Sequence, residues 1–380
     1  MTSWPKNFAR AAAAGLVLSA LTCGDNGGPT SVDGPGTAPK GLASCGSAPF
    51  LTAPLVPSAN IALVVPLGQL NPPSHTMPTD HVYFYMSLLS PIAVPSAAIV
   101  TTVVSQTRSG GGQPTVADYE VFFFPCADVR ISLGHVASLF PRFSAKVGAI
   151  DGECRPSTQT GGFTYQQCLK NVNVNVSAGE AIGMSAASLD VWARDRRVTV
   201  PYVNQARLSD ATGDFGDKHV ACVIDYYEAS IADQLRSKLG SPKQPRTTPP
   251  VCGTVMHDVA NTASGRWFRP GSPTYPEDPH LALAHDNYQP ALAAFSVGTS
   301  IPSLPTGVYT FTPASTGRVN LDFQYVRTIG ETECYSTSRN QRVLLQLVSA
   351  SRLRVEGLGP GACGDPATWV LGAGAVEFER

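Results

Sequence analysis

Seven histidines are spread over 380 residues, few enough to weigh singly. Imidazole and carboxylate are the side chains that bind zinc and move protons near neutral pH. His75 and His81 flank Asp80 in Asn71-Pro-Pro-Ser-His75-Thr-Met-Pro-Thr-Asp80-His81. His135 follows Gly134, and Asp190 sits in Ser188-Leu189-Asp190-Val191-Trp192-Ala193-Arg194-Asp195. Each has a plainer use. His75 can hydrogen-bond backbone ahead of the next strand, and Asp80 can cap a turn. Asp190 can lie on a solvated strand face with Arg194 and Asp195. His280 and His285 are five apart, on opposite faces if on one strand, and make a poor metal pair. His257 reads as structural or surface, and His219 carries no signal. There is no Cys-x-x-Cys pair for a zinc ribbon and no Gly-x-Ser-x-Gly elbow for a serine hydrolase. Gly110-Gly111-Gly112 reads as a turn tip, because no helix follows to make a phosphate loop. Trp267, Phe268, Tyr275 and Tyr288 are candidates for exposed aromatics that stack on sugars, with core packing the commoner use.

The elements that must position these residues read as strands. Gly (35) and Pro (32) punctuate short β-branched and aromatic runs, the pattern of a mainly β protein. Strands are predicted at 61–66, 82–86, 98–105, 118–124, 129–133, 170–176 and 188–193. The best helix candidate is 224–239, with Tyr226, Ile231, Leu235 and Leu239 on its apolar face. Residues 241–250 carry four prolines and read as an extended linker. Beyond them, 251–380 offers strands at 281–285, 308–312, 319–326, 343–348, 352–356 and 375–379. Their spacing predicts a small all-β sandwich or barrel. Net charge is −1 with 14% charged residues, which argues against nucleic-acid binding.

Four ordered pieces resemble the lysostaphin/LytM-type zinc endopeptidases (metallopeptidase family M twenty-three), which cut peptidoglycan cross-bridges. Val176-Ser-Ala-Gly179-Glu-Ala-Ile-Gly183 is similar to that family's V-x-x-G-x-x-I-G strand and turn. His75-x-x-x-x-Asp80 stands where the family has H-x-x-x-D, one residue longer here. Pro91-Ile-Ala-Val-Pro-Ser-Ala-Ala98 resembles a V-x-A-P-x-x-G hairpin, with Ala98 in place of the glycine. Val129-Arg-Ile-Ser-Leu-Gly-His135-Val-Ala-Ser-Leu139 resembles Y-x-H-L-S-S-L. The resemblance spans residues 60–195. It implies a lysostaphin-type antiparallel β-sheet domain, with zinc ligands at His75 and Asp80 and a carbonyl-polarising histidine at His135. The family's His-Leu-His-Phe strand is replaced by Ser188-Leu189-Asp190-Val191. Asp190 thus takes the third ligand position and Ser188 that of a catalytic histidine. A His75/Asp80/Asp190 site is chemically possible, with His81 as substitute ligand for His75. Two carboxylates would acidify zinc-bound water less than one. Loss of the histidine at 188 removes an acid/base group worth about 10²–10⁴-fold in rate.

The N-terminus predicts export. Lys6 and Arg10 precede a short apolar run, 11–21, too short to span a bilayer. Ala20-Leu21-Thr22-Cys23 resembles a bacterial lipobox, implying lipidation of Cys23. Nine cysteines support this, because a modified Cys23 leaves eight for four disulfides. Cys154 with Cys168, and Cys334 with Cys363, are the expected local pairs; the remaining four are open. The resulting layout is a signal peptide 1–22, a flexible tether 23–50, a peptidase-like domain 51–240, the linker 241–250 and an all-β domain 251–380. The expected function is a lipid-anchored cell-envelope protein holding or recognising peptidoglycan or an envelope partner, without bound zinc and without catalysis. The alternatives are a zinc endopeptidase and a purely structural surface protein.

Overall fold

The structure, a computed structural model, describes residues 37–150, 153–160, 162–208, 215–241 and 244–380. The signal peptide, Cys23 and the tether up to residue 36 lie outside the described residues.

The protein is mainly β, built from antiparallel sheets. The first sheet takes β1 (Ile61–Val65), β2 (Val82–Met86), β3 (Pro91–Ala93), β4 (Ala98–Gly110), β5 (Gln113–Cys126) and β6 (Val129–Leu139). It continues with β7 (Glu153–Cys154), β8 (Thr158–Thr160), β9 (Phe163–Val176), β10 (Ala181–Asp195) and β11 (Val220–Ala221). The order is β1-β2-β10-β6-β5-β4-β9-β7, with β3 and β11 on β10 and β8 on β9.

Period-two alternation decides what each face carries. Leu189, Val191 and Ala193 of β10 join Val121 and Phe123 of β5 and Leu133 and Ile131 of β6 in one core. The intervening Asp190, Trp192 and Arg194 therefore point to the opposite face. That face is not solvated: Asp190 is 0% exposed, and Trp192 and Arg194 are also buried. The solvated-face reading of Asp190 is thereby corrected, because further chain covers this side of the sheet.

Helix forms over less of the chain than the sequence suggests. Within 224–239, a 3-10 turn (Val223–Tyr226) precedes α2 (Ala229–Arg236). The earlier α1 is Pro141–Val147, started by proline in its first turn and ended at Gly148.

The 241–250 segment is pinned rather than free. A minimal ladder joins β12 (Gly240–Ser241) to β13 (Gln244–Pro245). Arg246 is buried, its backbone N–H donating to Leu239 O (2.8 Å) and its side chain to Asn287 O (2.5 Å). The flexible reading of 23–50 also ends early. Ala127 N–H donates to Ala43 O (2.8 Å), Cys45 is bridged to Cys126, and Phe50 stacks on Tyr226 with centroids 4.9 Å apart.

The C-terminal region has two four-stranded sheets: β14 (Gly265–Trp267), β15 (Leu281–His285), β16 (Ala293–Val297) and β17 (Gly307–Phe311), then β18 (Thr332–Ser336), β19 (Gln341–Ser349), β20 (Arg352–Pro360) and β21 (Val376–Glu379). Both contribute to a single core, so the arrangement is sandwich-like and not a closed barrel. Phe295 and Phe311 of one sheet meet Tyr335 of the other at centroid distances of 5.0 and 5.1 Å. The strand expected at 319–326 is instead a turn with a 3-10 segment, Phe323–Tyr325, capped by Asp322. Trp267 and Phe268, candidates for exposed aromatics, are buried.

Four disulfides close: Cys45–Cys126, Cys154–Cys168, Cys222–Cys252 and Cys334–Cys363. Two are the pairs expected from sequence. Of nine cysteines, eight are bridged, and 9 − 8 leaves Cys23. Cys222–Cys252 links α2's flank to the C-terminal region, whose Cys252, Val255, Phe268 and Ala282 also enter the first core.

Candidate functional site

Asp190 is the centre of the site. It sits in mid-strand, paired with Tyr83 of β2 on one side and Gly134 of β6 on the other. Immediately beside it the β6–β10 ladder breaks. Ser185 pairs with Val136 and Asp190 with Gly134, so residues 186–189 face the single residue His135. The β5–β6 ladder slips at the same level, between Tyr119↔Val136 and Val121↔Leu133. His135 takes the left-handed conformation, φ 60°. That conformation is uncommon for a non-glycine residue and costs on the order of 1–3 kcal/mol. A bulge of this kind re-aims a side chain. Here it aims the His135 ring at Asp190, with Nε2 3.4 Å from Oδ2.

His81 approaches from the other side. Its Nε2 lies 3.6 Å from the same Asp190 oxygen. The ring is held between Trp192 (centroids 4.1 Å) and Tyr83 (4.5 Å). Gly134 makes this possible, because a Cβ there would stand 3.0 Å from the Trp192 ring.

Both imidazoles are backed by a carboxylate. His81 Nδ1 is 2.9 Å from Asp80 Oδ1, and His135 Nδ1 is 2.7 Å from Asp118 Oδ2. A carboxylate accepts, so each ring donates from Nδ1 and presents Nε2 to Asp190. Burial alone would depress the His135 pKa. The charge of the nearby Asp190 and the hydrogen bond that His135 makes to Asp118 overcome it and raise it well above the usual histidine range.

Asp80 does something other than face Asp190. Its Oδ2 is ion-paired with Arg194, which also donates to Asp80 O (3.2 Å) and to Asp217 Oδ1 (3.0 Å). Its Oδ1 accepts from Trp192 Nε1 (3.1 Å). Burial pushes the Asp80 pKa up, but Arg194 and His81 outweigh it and hold the carboxyl well below its usual range. The chain of contacts runs on into the C-terminal region. Tyr275 Oη donates to Asp217 Oδ2 (2.5 Å), Arg266 donates to Pro78 O (3.3 Å), and Glu277 Oε2 accepts from Met77 N–H (2.7 Å). Burial raises the Glu277 pKa to about 7 against the pull of His75.

His75 is buried on the far side of His81, ring centroids 5.7 Å apart. Its backbone is fixed by reciprocal bonds with Asn71, 2.8 and 3.0 Å. Ser188 is buried and pairs with Tyr85.

The five nominated residues therefore fall into two groups. His81, His135 and Asp190 converge directly. Asp80 stands one contact further out, and His75 lies beyond His81. The combination His75/Asp80/Asp190 does not fit zinc as a ligand set, because Asp80 is committed to Arg194. Among the described residues no group of three or more His, Cys, Asp or Glu side chains has the spacing of a finished metal site. Asp118 and the pairing role of Arg194 were missed by sequence reasoning. Counting back from Cys126↔Val129 across the two-residue β5–β6 turn places Glu120 level with His135, so the hairpin register by itself does not single out Asp118.

The remaining histidines serve the fold. His280 accepts from Arg269 N–H at Nδ1 (3.1 Å) and donates from Nε2 to Pro273 O (2.9 Å). His219 Nδ1 donates to Val198 O (2.6 Å). His285 bonds Pro290 O and Asp322.

Comparison of the chain with known protein families, with curated proteins and with solved structures finds no match.

Proposed function

We propose that this is an exported cell-envelope protein, anchored by lipid at Cys23. Its 51–240 region is a lysostaphin-type domain that holds or recognises peptidoglycan or an envelope partner without cutting it. The observation that carries this reading is the capture of Asp80 by Arg194. A carboxylate neutralised by a buried guanidinium is withdrawn from metal ligation. Removing the guanidinium would leave uncompensated buried charge. Ser188 in place of an imidazole takes away a second requirement for peptide hydrolysis. Four disulfides suit an oxidising compartment outside the cytoplasm. Among the described residues no helix is long and apolar enough to cross a membrane.

The surface we assign to the partner is the open cleft of about 980 Å³ beside the Gly179 turn. Phe140, Arg142, Lys146 and Glu180 line it. Arg142 offers a cation to the carboxylates of peptidoglycan stem peptides, Phe140 offers an apolar wall, and Lys146 is already paired with Glu180 (2.5 Å). The test is co-sedimentation of the purified chain with insoluble peptidoglycan, with the supernatant assayed for soluble muropeptides. Retention in the pellet without release is expected, and weaker retention for Arg142→Ala. Release of muropeptides overturns the non-catalytic reading, and absence from the pellet overturns the peptidoglycan partner.

A further inference from the structure

Where β4 passes between β5 and β9, both of its ladders slip at one residue. Val100 faces Phe123 of β5 and Thr102 faces Phe122, so Thr101 has no counterpart in β5. On the other side Val100 faces Val174 and Thr102 faces Asn171, so Thr101 stands against two residues, Val172 and Asn173. Bulges of this kind re-aim side chains and gather beside functional sites.

Thr101 is 4% exposed, and its hydroxyl makes no hydrogen bond. A buried hydroxyl left unpaired is costly. Valine has the same shape, stands at 100, 103 and 104 of the same strand, and would avoid that cost. Thr101 also lines an open pocket of about 490 Å³, a size that suits a small ligand. The facing wall is the chain at 37–40. That wall is tied down just downstream, by the bond from Ala127 N–H to Ala43 O and by the Cys45–Cys126 bridge.

The lining chemistry selects the ligand. Lys40 brings a positive charge, Asn171 and Asn173 bring amides, and among the described residues no carboxylate lines the pocket. Thr102 Oγ1 donates to Asn171 Oδ1 (3.1 Å), which leaves Asn171 Nδ2 to donate to a ligand. One cation with neutral donors suits a singly charged acceptor, a carboxylate. Ile99 and Val172 add an aliphatic wall. Sugar hydroxyls pressed against it would lose water without replacement.

We propose that this pocket binds the free C-terminal carboxylate of a peptide whose last residue is small and aliphatic. Lys40, Asn171 and Thr101 hold the carboxylate, and Ile99 and Val172 pack on the last side chain. The pocket shares no lining residue with the cleft beside Gly179, and the proposal does not rest on a peptidoglycan partner.

The experiment titrates the tag-free full chain by calorimetry with N-acetylglycylvaline, with its C-terminal amide and with glucuronate. Saturable binding is expected for the free peptide acid alone. Lys40→Gln and Thr101→Val should each weaken it about 10-fold, the worth of one hydrogen bond to a charged group. Thr101→Val keeps the side chain's shape and should not lower the melting temperature, whereas loss of a merely structural hydroxyl would. Arg236→Ala, which removes a surface cation on α2, should bind as the native chain does. Three results overturn the proposal: no binding of the free acid, equal binding of the amide or of glucuronate, or a loss with Arg142→Ala that Lys40→Gln does not share. The last would put the peptide in the cleft beside Gly179 instead.

Discussion

Histidines in the two regions of this molecule are built into opposite circumstances. In the C-terminal region His280 has both ring nitrogens bonded to backbone, one accepting and one donating. Burial holds its pKa down to about 4, and that of His257 to about 3. These are neutral rings serving as backbone clamps. In the N-terminal region His135 has one nitrogen on a carboxylate and the other aimed at a buried second carboxylate, and its pKa is raised well above the ordinary value. Burial opposes charge equally in principle. The difference is what the chain places next to the ring. A histidine surrounded by carbonyls stays neutral, whereas one suspended between two carboxylates is favoured in its charged form.

The sharpest way to break the comparison is to remove what keeps the N-terminal cluster neutralised. Arg194→Met strands Asp80 and Asp217 without their shared cation. It should cost about 3–5 kcal/mol, the usual penalty for breaking a buried pair. Urea denaturation measures it, and a loss under about 1 kcal/mol would show that the pair is not integral to the fold.

Acid should act next, through the C-terminal rings. His280 has a folded pKa of about 4, below the unfolded value of roughly 6.5. The unfolded chain therefore binds more protons between those values. Stability is full above pH 6.5 and falls as pH drops towards 4, by on the order of 2–3 kcal/mol. Thermal melts of the native and His280→Gln chains across pH 4–7 test this. The variant should show a shallower acid slope.

Gly134→Ala should be milder, about 1–3 kcal/mol, as for a methyl forced into a packed site. Its Cβ would press on the Trp192 ring that flanks His81. Tryptophan fluorescence should shift with the loss of stability; an unchanged melting curve would show that Trp192 has room to move. The smallest effect belongs to Arg236→Ala, which removes an exposed pair with Asp225. A change below about 0.5 kcal/mol is expected by chemical denaturation. A larger one would mean surface pairs matter here as much as buried ones.

Strand content was largely legible, because β-branched and aromatic runs, and the Asn/Val alternation that ends β9, stand between turn residues. The helix at 224–239 was over-read. Its apolar spacing is real, but Val223–Tyr226 satisfies it as a 3-10 turn tied into the core. Residues 319–326 look like a strand by composition, yet Asn320 at φ 53° and the Asp322 cap make a turn. At the site, sequence order located His81, His135 and Asp190 but not their mutual roles. Asp80 and Arg194 are separated by 114 positions, and no local pattern announces such a pair. The bulge at His135 is equally silent, since it arises from three strands slipping together and not from any residue type.

The Cys45–Cys126 bridge has a mechanical consequence. Tension applied ahead of Cys45 would not reach β1 at the rim of the sheet by way of residues 46–60. It would pass through the sulfur bridge into the end of β5, a strand flanked by β4 and β6. Peeling a rim strand breaks one hydrogen bond at a time. Dragging out an interior strand must shear two ladders at once. The segment that leads towards the N-terminus is thus fastened where the domain would best withstand being pulled.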